Sequence, residues 1–421
     1  MNNRTIVVVG GGAAGLMAGG TAAAGFKERG ISARVIIIDK NAKMGRKIMI
    51  TGKGRCNLTN NSGVENCVAN TPRNGKFLFS AFSQFSPKDT VDFFESHGVP
   101  LKIERGNRVF PVSDKAHDVV DALAGFARDS GCEFRRGKVS RLILDDDNDC
   151  LGVVLDGGHE IKADGVVIAT GGKSYPLTGS TGDGYELARQ AGHTISDIRP
   201  SLISLESSAA WCVDLAGLSL KNCAVRLFEK RDGKKDKCIF DDFGEMLFTH
   251  TGVSGPMVLS ASAHIKSFEF AEYNLHIDLK PALSFEKLEA RLLREIEENI
   301  NKDYINLVHK LLPSSMCGVF AEMTGISQDT KCHSITRTQR HTVIETLKDF
   351  VVPISGFRPI DEAIVTCGGV KVKEIDPKTM KSKLVSGLSF AGEVMDVDAY
   401  TGGYNLQIAF STGSLAGKNV I

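Results

Sequence analysis

The sequence predicts an α/β fold: one parallel-sheet domain assembled from both ends of the chain, with a β-rich plus helical domain inserted between them. Three observations carry the prediction. A β-branched run at 6–9, IVVV, breaks directly into Gly10-Gly11-Gly12-Ala13-Ala14-Gly15, then an Ala-rich helical stretch, then a second run, RVIII, at 34–38. Buried-looking strands that end in glycines return at 165–172 (GVVIATGG) and again after Pro353. Between about 199 and 355 the texture changes to short strand-like pieces followed by a helix-rich stretch. At 421 residues the chain exceeds one ordinary core. The expected division is 1–198 and 356–421 for the two parts of the first domain, with 199–355 inserted, β-barrel-like to about 283 and helical from about 284 to 350.

Strand, helix and strand fit within residues 5–39, the size of a βαβ unit. Each glycine of Gly10-x-Gly12-x-x-Gly15 has a mechanical task in that unit. Gly10 permits a tight turn, Gly12 lets a pyrophosphate approach the backbone, and Gly15 lets helix pack on strand. Asp39, at the end of the second run, can accept ribose hydroxyls, and the helix start offers unpaired N–H groups to phosphates. This is a Rossmann-like dinucleotide site. Later sequence favours FAD over NAD, because Gly392-Glu393 follows a strand and Gly402-Gly403 precedes a helix starting near Tyr404. In two-part flavoprotein folds such an arrangement brings N–H donors to the flavin's pyrimidine edge.

Further along, helices are expected at 87–97 and 114–129, and a small β-meander at 139–161 turning at Asp156-Gly157-Gly158. In the insert, strand-like pieces at 224–229, 238–240 and 275–279 surround a polar hairpin, KRDGKKDK at 230–237. Its five cations against two acids suit an exposed turn, or a grip on RNA phosphates.

Composition is ordinary for a globular protein, 42% apolar and 24% charged, and the net charge of +1 advertises neither nucleic acid nor membrane. The N-terminus lacks a signal-peptide pattern and no apolar run reaches the ~18–20 residues of a membrane span, so a cytoplasmic protein is expected. The ten cysteines include no C-x-x-C pair, which removes the spacing signature of zinc and dithiol chemistry, and no metal site is expected.

With these residues in hand, the chain resembles the BaiN/RdsA (HI0933-like) family of FAD-dependent oxidoreductases, essentially end to end. The resemblance rests on VVVGGGAAGLMAG, KMGRKIMITGKGRCNLTN, RGNRVFPVSDKAHDVVDAL, ATGGKSYPLTGSTGDGYELARQAGH, FTHTGVSGP and the long segment from GGVKVKEIDPKTM to YTGGYNLQIAFSTG. Ala399 departs from the pattern, where glycine is expected before YTGGYN. The resemblance implies bound FAD, a discontinuous FAD domain of the two-dinucleotide-binding-fold type, and flavin redox chemistry. Family roles include reduction of conjugated double bonds in 3-oxo bile acid intermediates, dihydrouridine synthesis in ribosomal RNA, and aminoacetone oxidation.

The loop ITGKGRCNLTN at 50–60 is not a P-loop, since Lys53 is followed by Gly54. In this fold it is expected to clamp the dinucleotide. Gly52 and Gly54 would bring backbone N–H groups close, while Arg46, Lys47 or Arg55 would offset phosphate charge. Asn57 would bond the ribityl or flavin edge, and Cys56 would pack or tune the flavin. The expected cofactor set is Gly10, Gly12, Ala13, Ala14, Gly15, Asp39, Lys40, Gly45, Arg46, Lys47, Thr51, Gly52, Gly54, Arg55, Cys56 and Asn57. From later in the chain it adds Val139, Ala169, Thr170, Gly171, Gly392, Glu393, Gly403, Tyr404, Asn405 and Leu406.

A uracil C5=C6 bond and a steroid enone are both electron-poor alkenes conjugated to a carbonyl, and reduced flavin can deliver hydride to either. The expected activity is reduction of such a bond in a small bile-acid-like or steroid-enone-like molecule. Alternatives are ribosomal RNA dihydrouridine synthesis, amine or aminoketone oxidation, and a non-catalytic flavin-binding role. No second strand–GxGxxG–helix unit is evident, since Gly179 to Gly184 has the wrong spacing, so NAD(P)H would bind transiently as reductant. Neither DNA nor a membrane is an expected partner. Candidate catalytic residues are His250, beside Ser254 in FTHTGVSGP, and Tyr175 and Tyr404, which flank glycine-rich segments. Arg337, Arg340 and His341 form a polar group that a solvated helix face explains equally well.

Overall fold

IVVV and VIII lack polar alternation because both faces of these strands are covered. In the computed structural model, which describes residues 4–421, Ile6, Val7, Val8, Ile36 and Ile37 are fully shielded from solvent. Arg4–Val9 pairs in parallel with Ala33–Asp39 on one side and Gly165–Ile168 on the other. The five-stranded parallel sheet runs Leu388–Phe390, Gly165–Ile168, Arg4–Val9, Ala33–Asp39, Cys132–Arg136. One edge therefore comes from the far end of the chain.

The chain divides into two compact units, one made of the residues up to Ser201 with Pro359–Ile421, the other Leu202–Arg358. In the first unit, helix Ala13–Glu28 packs against helix Tyr404–Lys418. The contact is backbone-close: a Cβ added at Gly413 would strike the Ala14 carbonyl, and one at Gly417 the Ala18 carbonyl. The pairings advance in step, so the two helices run parallel. With Gly413 opposite Ala14, the second helix begins about eight residues, or ~12 Å, ahead of the first.

Other elements of this unit follow local signals. Helix Pro87–Ser96 carries a capping box between Ser86 and Asp89, and Ala116–Asp129 buries Val119, Leu123 and Ala127 at helical spacing. The meander is Val139–Leu144, Cys150–Leu155 and Glu160–Lys162. Arg199–Ser201 pairs antiparallel with Val365–Cys367.

The second unit holds a closed six-stranded barrel in the order Leu205–Ser207, Gly252–Ser254, Lys237–Thr249, Ser219–Glu229, Tyr273–Asp278, Phe350–Phe357, which returns to Leu205–Ser207. Inward residues alternate along the strands: Cys223, Val225 and Leu227; Tyr273, Leu275 and Ile277; Phe350, Val352 and Ile354. Five helices, Pro256–Ser262, Phe285–Glu298, Tyr304–Leu311, Ser314–Thr324 and Arg337–Lys348, share its core. Two differences from the sequence reading stand out. The pieces at 224–229 and 238–240 are parts of longer strands joined by the exposed hairpin. The barrel also takes a strand from beyond the helices, Phe350–Phe357, whose Pro353 reads locally as a strand breaker.

Among the described residues no helix is long and apolar enough to cross a membrane. Nine of the ten cysteines are buried, and all are free thiols.

A buried histidine ties the segment before the last sheet strand to the first unit. His193 Nδ1 lies 3.1 Å from Glu374 Oε2, Nε2 lies 2.8 Å from Ser382 Oγ, and the ring meets the edge of Phe390. Burial depresses the imidazole pKa in spite of Glu374. The folded chain therefore resists a proton that the unfolded chain accepts near pH ~6.5. The stabilisation is present above that pH and is lost as pH falls from it towards the folded value. Thermal melts between about pH 7.5 and 5.5 should show a falling Tm, and His193→Asn should flatten that slope. A slope unchanged by the substitution would refute the assignment.

Candidate dinucleotide cleft

Gly10 ends the first strand with φ +108°, and its N–H donates to Ile38 O at 2.8 Å. A Cβ there would strike the Ala169 carbonyl, and a Cβ at Gly15 would strike the carbonyl of Gly10 itself. Gly12 is different, because a Cβ there would meet nothing within 4 Å. Helix Ala13–Glu28 has no side-chain cap, and its first backbone bond is Leu16 N to Gly12 O at 2.9 Å. The N–H groups of its first turn thus face outward without a helical acceptor. Asp39 is held in place by backbone donors, Gly11 N to Oδ2 at 2.8 Å and Asn41 N to Oδ1 at 2.7 Å.

These groups border one open-mouthed cleft. It crosses the C-terminal ends of four sheet strands, touching Asp39, then Val9 and Gly10, then Ala169, Thr170 and Gly171, then Glu393. Asn405 and Leu406 bring the first turn of helix Tyr404–Lys418 to the same cleft. Ile364, Val365, Val397 and Ile408 give it an apolar wall. Thr170 Oγ1 is buried without a hydrogen-bond partner. Open space at Gly12 and unpaired N–H groups at a helix start fit a bound dinucleotide.

Of the residues expected at the cofactor, the cleft is lined by Gly10, Gly12, Ala13, Ala14, Asp39, Lys40, Gly45, Arg46, Lys47, Thr51, Val139, Ala169, Thr170, Gly171, Glu393, Asn405 and Leu406. The others lie off it. Gly15 sits behind Gly10, and Gly392 packs on Ala14. Gly52 and Gly54 are exposed, in turns of Ile48–Gly54. Arg55 is bound by Glu104 and Asp114 and lies over the Phe110 ring. Cys56 is buried, which pushes its thiol up to about 12. Asn57, oriented to satisfy both amide atoms, bridges Thr59 O, Val109 O and Gly403 N. Gly403, at φ +100°, lies against the Thr59 backbone.

Within the first unit, neither Tyr175 nor Tyr404 lines the cleft. Tyr404 OH donates to Asn66 Oδ1 at 2.8 Å, and burial raises its pKa. Tyr175 is half-buried in a left-handed turn, φ +51°, its carbonyl accepting from Thr178. His250, in the second unit, is exposed after strand Lys237–Thr249, and Ser254 Oγ accepts from Ser204 Oγ at 2.7 Å. Arg337 and His341 are exposed, with His341 3.2 Å from Glu345.

Asn41, Lys138, Thr178, Gly179, Ser180 and Asp183 also line the cleft, beyond the residues expected there. The signal was present: a polar, glycine-rich run directly before helix Asp183–Gln190. It fails as a second nucleotide motif, yet it completes the first site, where Lys40 Nζ bonds to Thr181 Oγ1 and to Asp183 Oδ2 at 2.5 Å.

Sheet order, glycine turn, ribose-side acid and cleft define a dinucleotide-binding protein of the Rossmann class. The HI0933-like protein Rossmann domain profile matches residues 4–419, and the chain belongs to the HI0933-like family. It is 30% identical to the 3-dehydro-bile acid delta(4,6)-reductase of Clostridium scindens over 98% of each chain. It is 31% identical to the ribosomal RNA dihydrouridine synthase of Escherichia coli, over 99% of this chain and 97% of that one. Among solved structures, an adenosine-5-phosphosulfate reductase aligns at 14% identity and a TM-score of 0.47, covering 100% of this chain and 69% of that one, too distant to carry function.

The glycines separate folding from binding. Gly12→Ala should leave stability within ~0.5 kcal/mol while weakening dinucleotide affinity by roughly tenfold. Gly15→Ala should cost ~1–3 kcal/mol of stability through overpacking. Thermal melts and titration of the stripped protein with FAD check both, and a destabilised Gly12→Ala protein would contradict the assignment of open space.

Proposed function

We propose that this chain is an FAD-dependent oxidoreductase that reduces an electron-poor C=C bond conjugated to a carbonyl in a small molecule of bile-acid or steroid-enone type. The observation that carries the reading is one continuous cleft, bordered by two helix starts and running from Asp39 to Glu393 over four strand ends. FAD bound there would supply hydride from its reduced ring.

The chain's own residues hold and orient it. Asp39 accepts the adenosine ribose hydroxyls, and the N–H groups of Gly12, Ala13 and Ala14 take the pyrophosphate. Ala169 to Gly171 and Glu393 border the next stretch, and the first turn of helix Tyr404–Lys418 lies beyond, where its positive end favours negative charge on the ring. The apolar wall of Ile364, Val365, Val397 and Ile408 excludes water from part of the cleft. NAD(P)H serves as the transient reductant in this reading.

Similarity to the bile-acid reductase over nearly the whole chain supports the reductase direction. Comparable similarity to a ribosomal RNA dihydrouridine synthase supports a second reading, in which the reduced bond is uracil C5=C6. Both reduce the same kind of alkene and make the same demand on the cleft.

Anaerobic reduction of the purified flavoprotein, followed by mixing with a 3-oxo-4-ene steroid, uridine-containing RNA or oxygen, separates the readings. Rapid reoxidation by the steroid alone is expected. Reoxidation by RNA alone selects the second reading, and peroxide release in air marks an oxidase. No reoxidation by any of them points to a non-catalytic flavin protein, and absence of flavin binding overturns the whole assignment.

A further inference from the structure

We propose that Lys47 and Glu393 form a charge-setting pair for the flavin ring, in which the Lys47 ammonium stabilises the negative charge that reduction leaves there and Glu393 moderates it. The proposal rests on the FAD reading above and concerns positioning and potential.

The two side chains come from opposite ends of the chain and meet in the cleft wall, Lys47 Nζ to Glu393 Oε2 at 2.8 Å. Lys47 also donates to Ser174 Oγ at 2.7 Å. An ammonium has three donors, and the third N–H of Lys47 has no partner among the described residues. Glu393 is locked: Oε1 accepts Thr366 N at 2.8 Å and Ser174 Oγ at 3.3 Å, while Oε2 takes Lys47. Both carboxylate oxygens of Glu393 thus have donors within the protein, whereas Lys47 keeps a donor to offer.

Sheet order says which part of a dinucleotide this pair meets. Asp39 ends the fourth strand in the order and Gly10 follows the third, so ribose and pyrophosphate occupy that half of the cleft. Continuing the same way, the ligand passes Ala169 to Gly171 beyond the second strand and Glu393 beyond the first. The pair therefore lies on the flavin half. Of the other cleft-lining cations, Lys40 and Lys138 pair with Asp183 and Arg46 donates to Asn41, which ties all three to groups beside the Asp39 end of the cleft. Lys47 is thus the cation placed to answer charge on the ring.

The charge balance is simple. Hydride transfer from a nicotinamide to neutral oxidised flavin oxidises the nicotinamide and leaves the flavin with two more electrons, one more proton and one net negative charge. Lys47 gains or loses no proton; it supplies field alone.

The test is the two-electron midpoint potential, measured anaerobically against a reference dye with dithionite as reductant, together with the affinity of the oxidised flavin for sulfite, an anion-forming probe. Lys47→Met should lower the reduction equilibrium about tenfold, ~30 mV for two electrons, and weaken sulfite binding. Glu393→Gln should move both the opposite way, because it leaves the ammonium unopposed. Lys47→Arg should stay near the parent protein. A purely structural link predicts shifts of the same sign in Lys47→Met and Glu393→Gln, or none, and either result overturns the proposal. Should Lys47→Met not retain flavin, Glu393→Gln decides alone, and a lowered or unchanged potential overturns it. Flavin lost from both variants with unchanged melting also overturns it in favour of a binding role. A parent protein that binds no FAD defeats the underlying reading instead.

Discussion

Two helices from opposite ends of the chain touch through their backbones, and the site depends on that contact. Gly413 and Gly417 of the last helix lie on the carbonyls of Ala14 and Ala18, a separation that no larger residue permits. Because the helices run parallel, both positive ends point the same way, and the later helix reaches further. The contact sets where each N-terminus stands along the cleft. It also explains why Gly413 and Gly417 stand in the last helix opposite Ala14, Ala18 and Thr21, although glycine lowers helix propensity by about 1 kcal/mol per residue.

Electrostatically the cleft is close to self-neutralised. Lys40 meets Asp183, Lys47 meets Glu393, and in the neighbouring loop Arg55 meets Glu104 and Asp114. Phosphate recognition then falls to backbone N–H groups at the start of helix Ala13–Glu28. Such donors are fixed by the fold and need no reorganisation, unlike long cationic side chains, whose ordering costs up to ~2 kcal/mol of rotamer entropy each.

The parts legible in the sequence were those encoded by neighbours along the chain. The turn from Gly10 to Gly15, the acid at Asp39 and the meander at 139–161 each follow from contiguous residues. What escaped was encoded by partners far apart. Lys47 reads as a phosphate cation until Glu393, 346 positions away, is brought beside it. Arg55 reads likewise, until strand Leu101–Glu104 supplies Glu104 and the loop after strand Arg108–Pro111 supplies Asp114. The strand at Phe350–Phe357 carries a proline and lies beyond four helices, so neither pattern nor proximity marks it as the barrel's closing member.

The order of the parallel sheet has a consequence for how the protein is made. Gly165–Ile168 needs Leu388–Phe390 as its outer neighbour, yet Ile168 and Leu388 are 220 residues apart. At a synthesis rate of ~5–20 residues per second, that strand emerges with an open edge for roughly ten to forty seconds before its partner exists. An apolar strand with an unpaired edge is a template for pairing with another chain. During translation the nascent first domain is thus the vulnerable species, and the inserted unit is the piece able to complete itself while the ribosome still holds the end.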